Sequence, residues 1–375
     1  MKILIDAHFL DGKKHGVANF IERLYGAYRR LAPEDDLIFA VEKGADPGPE
    51  VLELPGVTVV EYKYGGYLRF LLDLPVLARR HSVDVVHTQY MLPLMFGRGV
   101  VRHVTIHDVL YEDYPELFGL GYRSMRTTLF RASAYFADVV STVSVYSKQR
   151  IAAHYRLKSQ AVHILPNGAD VPTAGAEGAF DTGLPFRRYI AFVSRFERRK
   201  NHARLLEAFA EVRRTIGDIH LVLVGFDVDG TLARVRAEIE AAGLDEWVTI
   251  LSGIPDERLT AIVRGAEAIV YPSLCEGFGM PIIESLLVNP NTLFSNTSAM
   301  SDFTFAGERM FDPTDTPGMA AKIIDCLTGE LRLTDDWPRV RDYIRETYSW
   351  EKSAATLVAL YHERPGSLRA DEART

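Results

Sequence analysis

Two short stretches of the 375-residue chain hold side chains whose types and spacing suit chemistry. The first is Tyr271-Pro272-Ser273-Leu274-Cys275-Glu276-Gly277-Phe278-Gly279-Met280-Pro281-Ile282-Ile283-Glu284-Ser285. An apolar run ends near Tyr271, a turn with two glycines follows, and Pro281 sits where a first helical turn tolerates it. Gly277 and Gly279 let backbone N–H groups face a ligand with no side chain in the way, and a helix N-terminus adds positive partial charge. Glu276 in the turn and Glu284, expected in the first helical turn, are then hydrogen-bond acceptors for two parts of one polyol-bearing ligand. The competing reading is a plain helix start, with Glu284 only complementing the dipole. The second stretch runs from Ala191 to Asn201, where a strand ends near Ser194 and a loop carries Arg195 and Lys200. A guanidinium fork and an ammonium point charge on one loop can neutralise a departing diphosphate without a metal, although a basic loop is also an ordinary solvated turn.

The elements that must position these residues alternate along the chain. Strand-like runs include 2–5, 37–41, 83–86, 100–106, 139–143 and 161–165, with helical spacing between them, as in 20–31 and 124–136. Strand–helix alternation predicts parallel pairing in a doubly wound α/β layer. Residues 166–185 break the rhythm with four glycines and three prolines and read as an inter-domain linker. The alternation then restarts at 189–194, with a helix at 203–216 and further strands at 219–225, 248–252 and 268–271. The reading is two α/β domains, residues 1–168 and 186–345, with a cleft between them. In such sheets ligands bind outside the carboxyl ends of the strands.

At these residues the sequence resembles the retaining glycosyltransferases of the GT-B architecture, specifically glycosyltransferase family 4. Glu276 through Glu284 is similar to the family's E-x7-E motif in its E-G-F-G-x-P-x-x-E setting, and Ser194-Arg195 with Lys200-Asn201 to its phosphate loop. Pro166-Asn167-Gly168-Ala169-Asp170 and the strand ending in Gly225 fit the same pattern. The resemblance implies that Arg195 and Lys200 bind the diphosphate of a nucleotide-sugar donor and that Glu284 binds the ribose. It implies that Glu276 and the backbone N–H groups of Phe278, Gly279 and Met280 hold the donor sugar. Retention by front-face attack, with the leaving phosphate helping to deprotonate the acceptor, would need neither a dedicated nucleophile nor a metal. His107, in Thr105-Ile106-His107-Asp108, matches the family's H-D element; it would hydrogen-bond a sugar hydroxyl, or donate a proton if protonated. A histidine packed at a domain interface is the alternative there. Gly16, in the turn after the first strand, is matched to a loop near donor and acceptor, though a short loop opening a helix explains it equally. Ser144 and Ser147 read as helix caps. A closing helix at about 350–365 would cross back to the first, acceptor-side domain, and the tail beyond Pro365 is expected to fray.

The sequence departs from the family pattern at Leu287-Val288-Asn289-Pro290-Asn291-Thr292-Leu293, where a small-residue turn is usual. That leaves the donor base open. The resemblance favours mannosyl transfer from GDP-mannose to a glycan or lipid-linked saccharide in bacterial polysaccharide or lipopolysaccharide assembly. A UDP-sugar donor, a phosphorylase or epimerase using the same cleft, and a non-catalytic nucleotide-sugar-binding protein are the alternatives.

Composition bounds the rest. Hydrophobic residues make up 47% and charged residues 25%, which excludes a disordered or fibrous protein. Two cysteines form no disulfide framework and no multi-thiolate zinc site, and no aspartate cluster has metal-binding spacing. No apolar run reaches the roughly 20 residues of a membrane span, and no signal peptide is read, so a cytoplasmic protein is expected. The net charge of −7 argues against a nucleic-acid partner. Residues 117–165 nevertheless carry seven Lys and Arg against Asp138 alone. That face suits an anionic membrane surface, hence a peripheral protein on its inner face, or is simply a solvated helix surface.

Overall fold

Short apolar strands dominate both halves of the chain, and each half closes its own sheet. The computed structural model describes residues 1–12, 16–93, 99–169 and 181–362. Asp170 and residues 171–180 of the expected linker, the Lys13-Lys14-His15 part of the first turn, and the tail beyond Pro365 lie outside the described residues. Among those described, one unit comprises Met1–Gly168 with the residues from Tyr348 onward, and the other Ala169–Thr347.

The first unit holds seven parallel strands: β1 (Lys2–Asp6), β2 (Asp36–Val41), β3 (Val57–Glu61), β4 (Val85–Gln89), β5 (Val101–Thr105), β6 (Val139–Thr142) and β7 (Val162–Ile164). Their order is β3-β2-β1-β4-β5-β6-β7. After its first residue β1 is buried throughout, as its uninterrupted Ile3-Leu4-Ile5 core requires in a sheet covered on both faces. The edge strand β3 went unread because Val-Thr-Val-Val-Glu is half exposed and forms no long apolar run.

The helix Gly16–Leu31 buries Phe20, Ile21, Leu24, Tyr25 and Tyr28 on a stripe of helical period. The last helix, Trp350–His362, packs on it: Phe20 meets Trp350 and Tyr28 meets Tyr361 edge-on or tilted at about 6 Å, and Arg30 pairs with Glu351 at 2.6 Å. Inside this sheet His87 and His103 stack at 3.9 Å. His87 is bonded to Tyr25 and Thr105, His103 to Tyr361 and Ser141. Burial pushes His87 down to about 3 and His103 well below the ordinary imidazole range, so both are neutral.

The second unit holds six parallel strands: β8 (Tyr189–Val193), β9 (His220–Val224), β10 (Val248–Leu251), β11 (Ala268–Tyr271), β12 (Thr292–Ser295) and β13 (Met310–Phe311). Their order is β10-β9-β8-β11-β12-β13. In each sheet the order reverses beside the first strand, at β1/β4 and at β8/β11. Crevices at such reversals are where open α/β sheets bind ligands.

Candidate active site

At the β8/β11 reversal the two informative stretches meet. After β8 the chain runs through Ser194–Glu197 into a 3-10 turn, Arg198–Lys200, and then the helix His202–Ile216. Asn201 takes a left-handed conformation (φ 62°) that asparagine tolerates. Its side-chain amide donates to the carbonyls of Pro272 and Pro313, and the Leu274 N–H donates to the Arg199 carbonyl. The loop after β8 is thus fastened to the loop after β11.

The β11 loop ends at Gly279, whose φ of +103° favours glycine, and the helix Met280–Val288 follows with Pro281 in its first turn. The amides of Gly279 and Met280 precede the first intrahelical bonds, which run from Ile282 and Ile283 to Gly279. Glu284 is the fifth helical residue and so lies in the second turn, not the first as the sequence suggested, because the helix is capped at Gly279 rather than at a later residue. Both Glu276 and Glu284 raise the Tyr271 hydroxyl after burial has done so, which places both carboxylates near the end of β11.

Glu276 is the hub. Its Oε1 accepts from Lys200 Nζ at 2.5 Å and its Oε2 from Arg199 Nη1 at 2.5 Å. Arg199 also reaches Glu197 at 2.8 Å, and Glu197 holds Arg195 at 3.0 Å. Burial alone would raise the Glu276 carboxyl, but the Arg199 and Lys200 charges hold it far below the usual carboxylate range. Burial lowers Lys200, helped by Arg199 and opposed by Glu276. The arrangement is a relay of alternating charge from Arg195 to Lys200 with one surplus positive charge, beside a helix N-terminus. Such a surface receives an anion and hydroxyl groups together.

The structure therefore brings Lys200 to Glu276 directly, whereas Arg195 is 41% exposed and reaches the cluster through Glu197. The cation beside Lys200 is Arg199, which sequence reasoning missed. The run Arg198-Arg199-Lys200 contains no signal for which side chain turns inward. Phe278 is buried against Phe303, and Met280 opens the helix. Asn289, in the run that departs from the family pattern, is buried and donates to the carbonyls of Val263 and Ala266.

In the first unit, His107 follows β5, is 7% exposed, and bonds Gln89 Oε1 through Nε2 at 2.8 Å. Burial pushes it down to about 3, so at neutral pH His107 is an uncharged imidazole, with Nδ1 turned away from Gln89's oxygen. Gly16 opens the helix Gly16–Leu31, and a Cβ there would meet nothing within 4 Å among the described residues. Ser144 caps the helix Val145–Tyr155 by accepting from the Ser147 N–H. Among the described residues no group of three or more His, Cys, Asp and Glu is placed to hold a metal, and no helix is long and apolar enough to cross a membrane.

Comparison with known proteins identifies the family. Residues 15–172 match the family described as Glycosyltransferase Family 4, and residues 182–348 that described as Glycosyl transferases group 1. An MMP α-(1→4)-mannosyltransferase of Mycolicibacterium hassiacum is 30% identical over 76% of this chain and 72% of its own length. A GDP-mannose-dependent α-(1-6)-phosphatidylinositol monomannoside mannosyltransferase of Mycolicibacterium smegmatis is 24% identical over 94% of this chain and 96% of its own. In fold, the chain resembles sucrose-phosphate synthase of Thermosynechococcus elongatus, with TM-score 0.78 at 20% identity over 96% of this chain and 98% of that one. Two parallel Rossmann-like sheets, a carboxylate held by two cations at a sheet reversal, and these matches lead to one conclusion: the chain belongs to glycosyltransferase family 4 and has the GT-B fold.

Proposed function

We propose that this glycosyltransferase is a retaining mannosyltransferase that takes mannose from GDP-mannose and places it on a glycan or lipid-linked saccharide in bacterial polysaccharide or lipopolysaccharide assembly. The observation that carries the reading is Glu276 held between Lys200 and Arg199 beside the helix opening at Met280. The donor follows the activity of the M. smegmatis relative, and the setting follows an O-antigen chain mannosyltransferase of Escherichia coli that is 24% identical over 72% of this chain.

In this reading Lys200 and Arg195 take the donor diphosphate, and the Phe278, Gly279 and Met280 amides with Glu276 take the mannosyl hydroxyls. Glu284 takes the ribose, and His107 accepts a sugar hydroxyl as a neutral imidazole. The bond from the anomeric carbon to the phosphate oxygen breaks, and the acceptor oxygen bonds on the same face. The acceptor proton goes to the leaving phosphate, whose negative charge the cations absorb in place of a metal. A membrane surface would meet the basic 117–165 region, where Leu120, Tyr122 and Met125 are exposed beside Arg126, which lies 4.0 Å over the Tyr122 ring.

A nucleotide-sugar panel read by nucleoside-diphosphate release tests the donor. Glu276→Ala and Lys200→Ala are each expected to lower release by about 100-fold or more, the scale of a lost preorganised charge. Unchanged turnover in both variants rejects the assignment. The anomeric configuration of the product tests retention, and full activity in chelator tests metal independence.

A further inference from the structure

The turn that carries Glu276 is fastened from two sides. The loop after β8 grips its side chain, whereas the segment after β12, from Ser295 to Phe303, grips its main chain. Ser295 Oγ donates to the Ser273 carbonyl at 2.6 Å, and Thr297 Oγ1 to the Leu274 carbonyl at 2.9 Å. One step further, Ser298 Oγ accepts from the Glu276 N–H at 2.8 Å, and the Glu276 carbonyl accepts from the Ala299 N–H at 3.3 Å. The two segments therefore run side by side from Ser273 to Glu276. Contact continues at the far end of the turn, where Phe278 meets Phe303 edge-on at 5.9 Å and a Cβ on Gly279 would lie 3.7 Å from Met300.

Every polar group of Glu276 is thus engaged: the carboxylate by Lys200 and Arg199, the N–H by Ser298 and the carbonyl by Ala299. Pins on the carboxylate alone would let the backbone swing about the side-chain torsions. The two main-chain pins remove that freedom, so the amides up to Met280 leave from a fixed point, while each carboxylate oxygen keeps a lone pair for a ligand.

Ser298 makes its bond from a strained position. Its φ of +51° is left-handed, a region that crowds a Cβ and persists in a non-glycine residue where the surroundings impose it. Among the described residues of the second unit, the non-glycine residues in that region are Asn201 and Ser298, and both bind the loop after β11. An ordinary capping serine keeps its hydroxyl on its own turn. The 3-10 turn Ser298–Asp302 instead has no side-chain cap at Thr297, and the Ser298 hydroxyl donates to the Thr297 carbonyl at 2.7 Å while accepting from Glu276.

We propose that Ser298 is a positioning residue for the transfer reaction, acting through Glu276 by fixing the main chain from which the carboxylate and the following amides meet the donor sugar. The inference rests on the proposed role of Glu276 at that sugar.

Two substitutions separate this role from folding. Ser298→Gly keeps the left-handed backbone without strain and loses the hydroxyl; Ser298→Thr keeps the hydroxyl but puts a β-branched Cβ where the backbone resists it. With GDP-mannose as donor, Ser298→Gly is expected to lower kcat for nucleoside-diphosphate release about tenfold, the scale of one hydrogen bond. Donor KM should stay within about twofold and inhibition by GDP should not change, because the diphosphate is taken by the loop after β8. The urea midpoint of Ser298→Gly should equal or exceed the parent's, and its backbone amide exchange should quicken over 274–280 but not over 198–204. Ser298→Thr should unfold at lower urea yet keep most of the parent's kcat. A Ser298→Gly chain that turns over as the parent does, a loss of kcat matched by a lower urea midpoint, or a Ser298→Thr chain as slow as Ser298→Gly overturns the proposal. A parent that releases no nucleoside diphosphate from any donor overturns the transferase reading instead, and quickened exchange confined to 274–280 in Ser298→Gly then leaves the hold of Ser298 on the turn standing.

Discussion

Lys200 and Arg199 grip the same carboxylate but are not equivalent. Arg199 ties Glu276 to Glu197 and to the Cys275 carbonyl, so it holds two loops together, whereas Lys200 presents a single charge lowered by burial. Arg199→Met should therefore cost about 3 kcal/mol, because it strips a partner from two largely buried carboxylates. Thermal unfolding should show this as a fall of roughly 6–12 °C in Tm, with Lys200→Met falling less while losing more nucleoside-diphosphate release. Equal Tm losses would remove the distinction. Sequence alone marked Glu276, Glu284 and Lys200 through their spacing to the glycines and to the strand end. It could not single out Arg199, since a 3-10 turn of three cations, Arg198–Lys200, directs each to a different side. The neutral state of His107 was equally hidden, because it depends on burial that only the folded sheet supplies.

Two glycines set the shape of the loops that carry these residues. A Cβ on Gly225 would lie 1.8 Å from the Ser194 carbonyl oxygen, and one on Gly279 would lie 3.2 Å from Ile282 and Phe303 at a φ of +103°. The first clash is backbone against backbone and cannot be relieved by a rotamer. Gly225→Ala is expected to cost about 3 kcal/mol and to raise donor KM by displacing the Arg195 loop, while Gly279→Ala costs about 1–2 kcal/mol. Urea unfolding of the two variants checks the order, and a Gly225→Ala chain as stable as the parent contradicts it. The strand–turn–helix around Glu276 was legible because Tyr271, the glycines and Pro281 punctuate it. The turn that holds Glu284 was not, since cap position depends on which glycine turns left-handed. β3 escaped for a different reason: an edge strand with one wet face forms no continuous apolar run.

Among the described residues the first unit holds three buried histidines pushed well down, whereas the second holds one, His202, pushed down to about 4. His87 and His107 are pushed down to about 3 and His103 lower still, while the unfolded chain protonates them near 6.5. The unfolded state thus binds more protons as pH falls, so this stability is intact above about pH 6.5 and is lost toward pH 3, at about 2 kcal/mol per histidine by pH 5. Hydrogen exchange at pH 5 should open β4 and β5 before β8 and β9; simultaneous opening counts against it. The same first unit carries exposed Leu68, Leu71, Leu72 and Val76, and Tyr67, which bonds the Met125 sulfur at 3.2 Å, beside the basic helix Leu120–Phe136. The combined variant Arg123→Glu, Arg126→Glu, Arg131→Glu should abolish flotation with anionic liposomes, whereas equal parent recovery with neutral and anionic lipid would remove the membrane from the account. The two-unit plan follows from the restarted strand–helix rhythm, but the buried polar ladder from His87 to Tyr361 has no local signature, being assembled from residues far apart in the chain. That ladder also fixes an order of events on the ribosome. The Trp350–His362 helix, which covers Phe20 and Tyr28, emerges only after the whole of the second unit. The amino-terminal half must wait with an uncovered apolar stripe while the contiguous second unit, translated later, is the first able to finish folding.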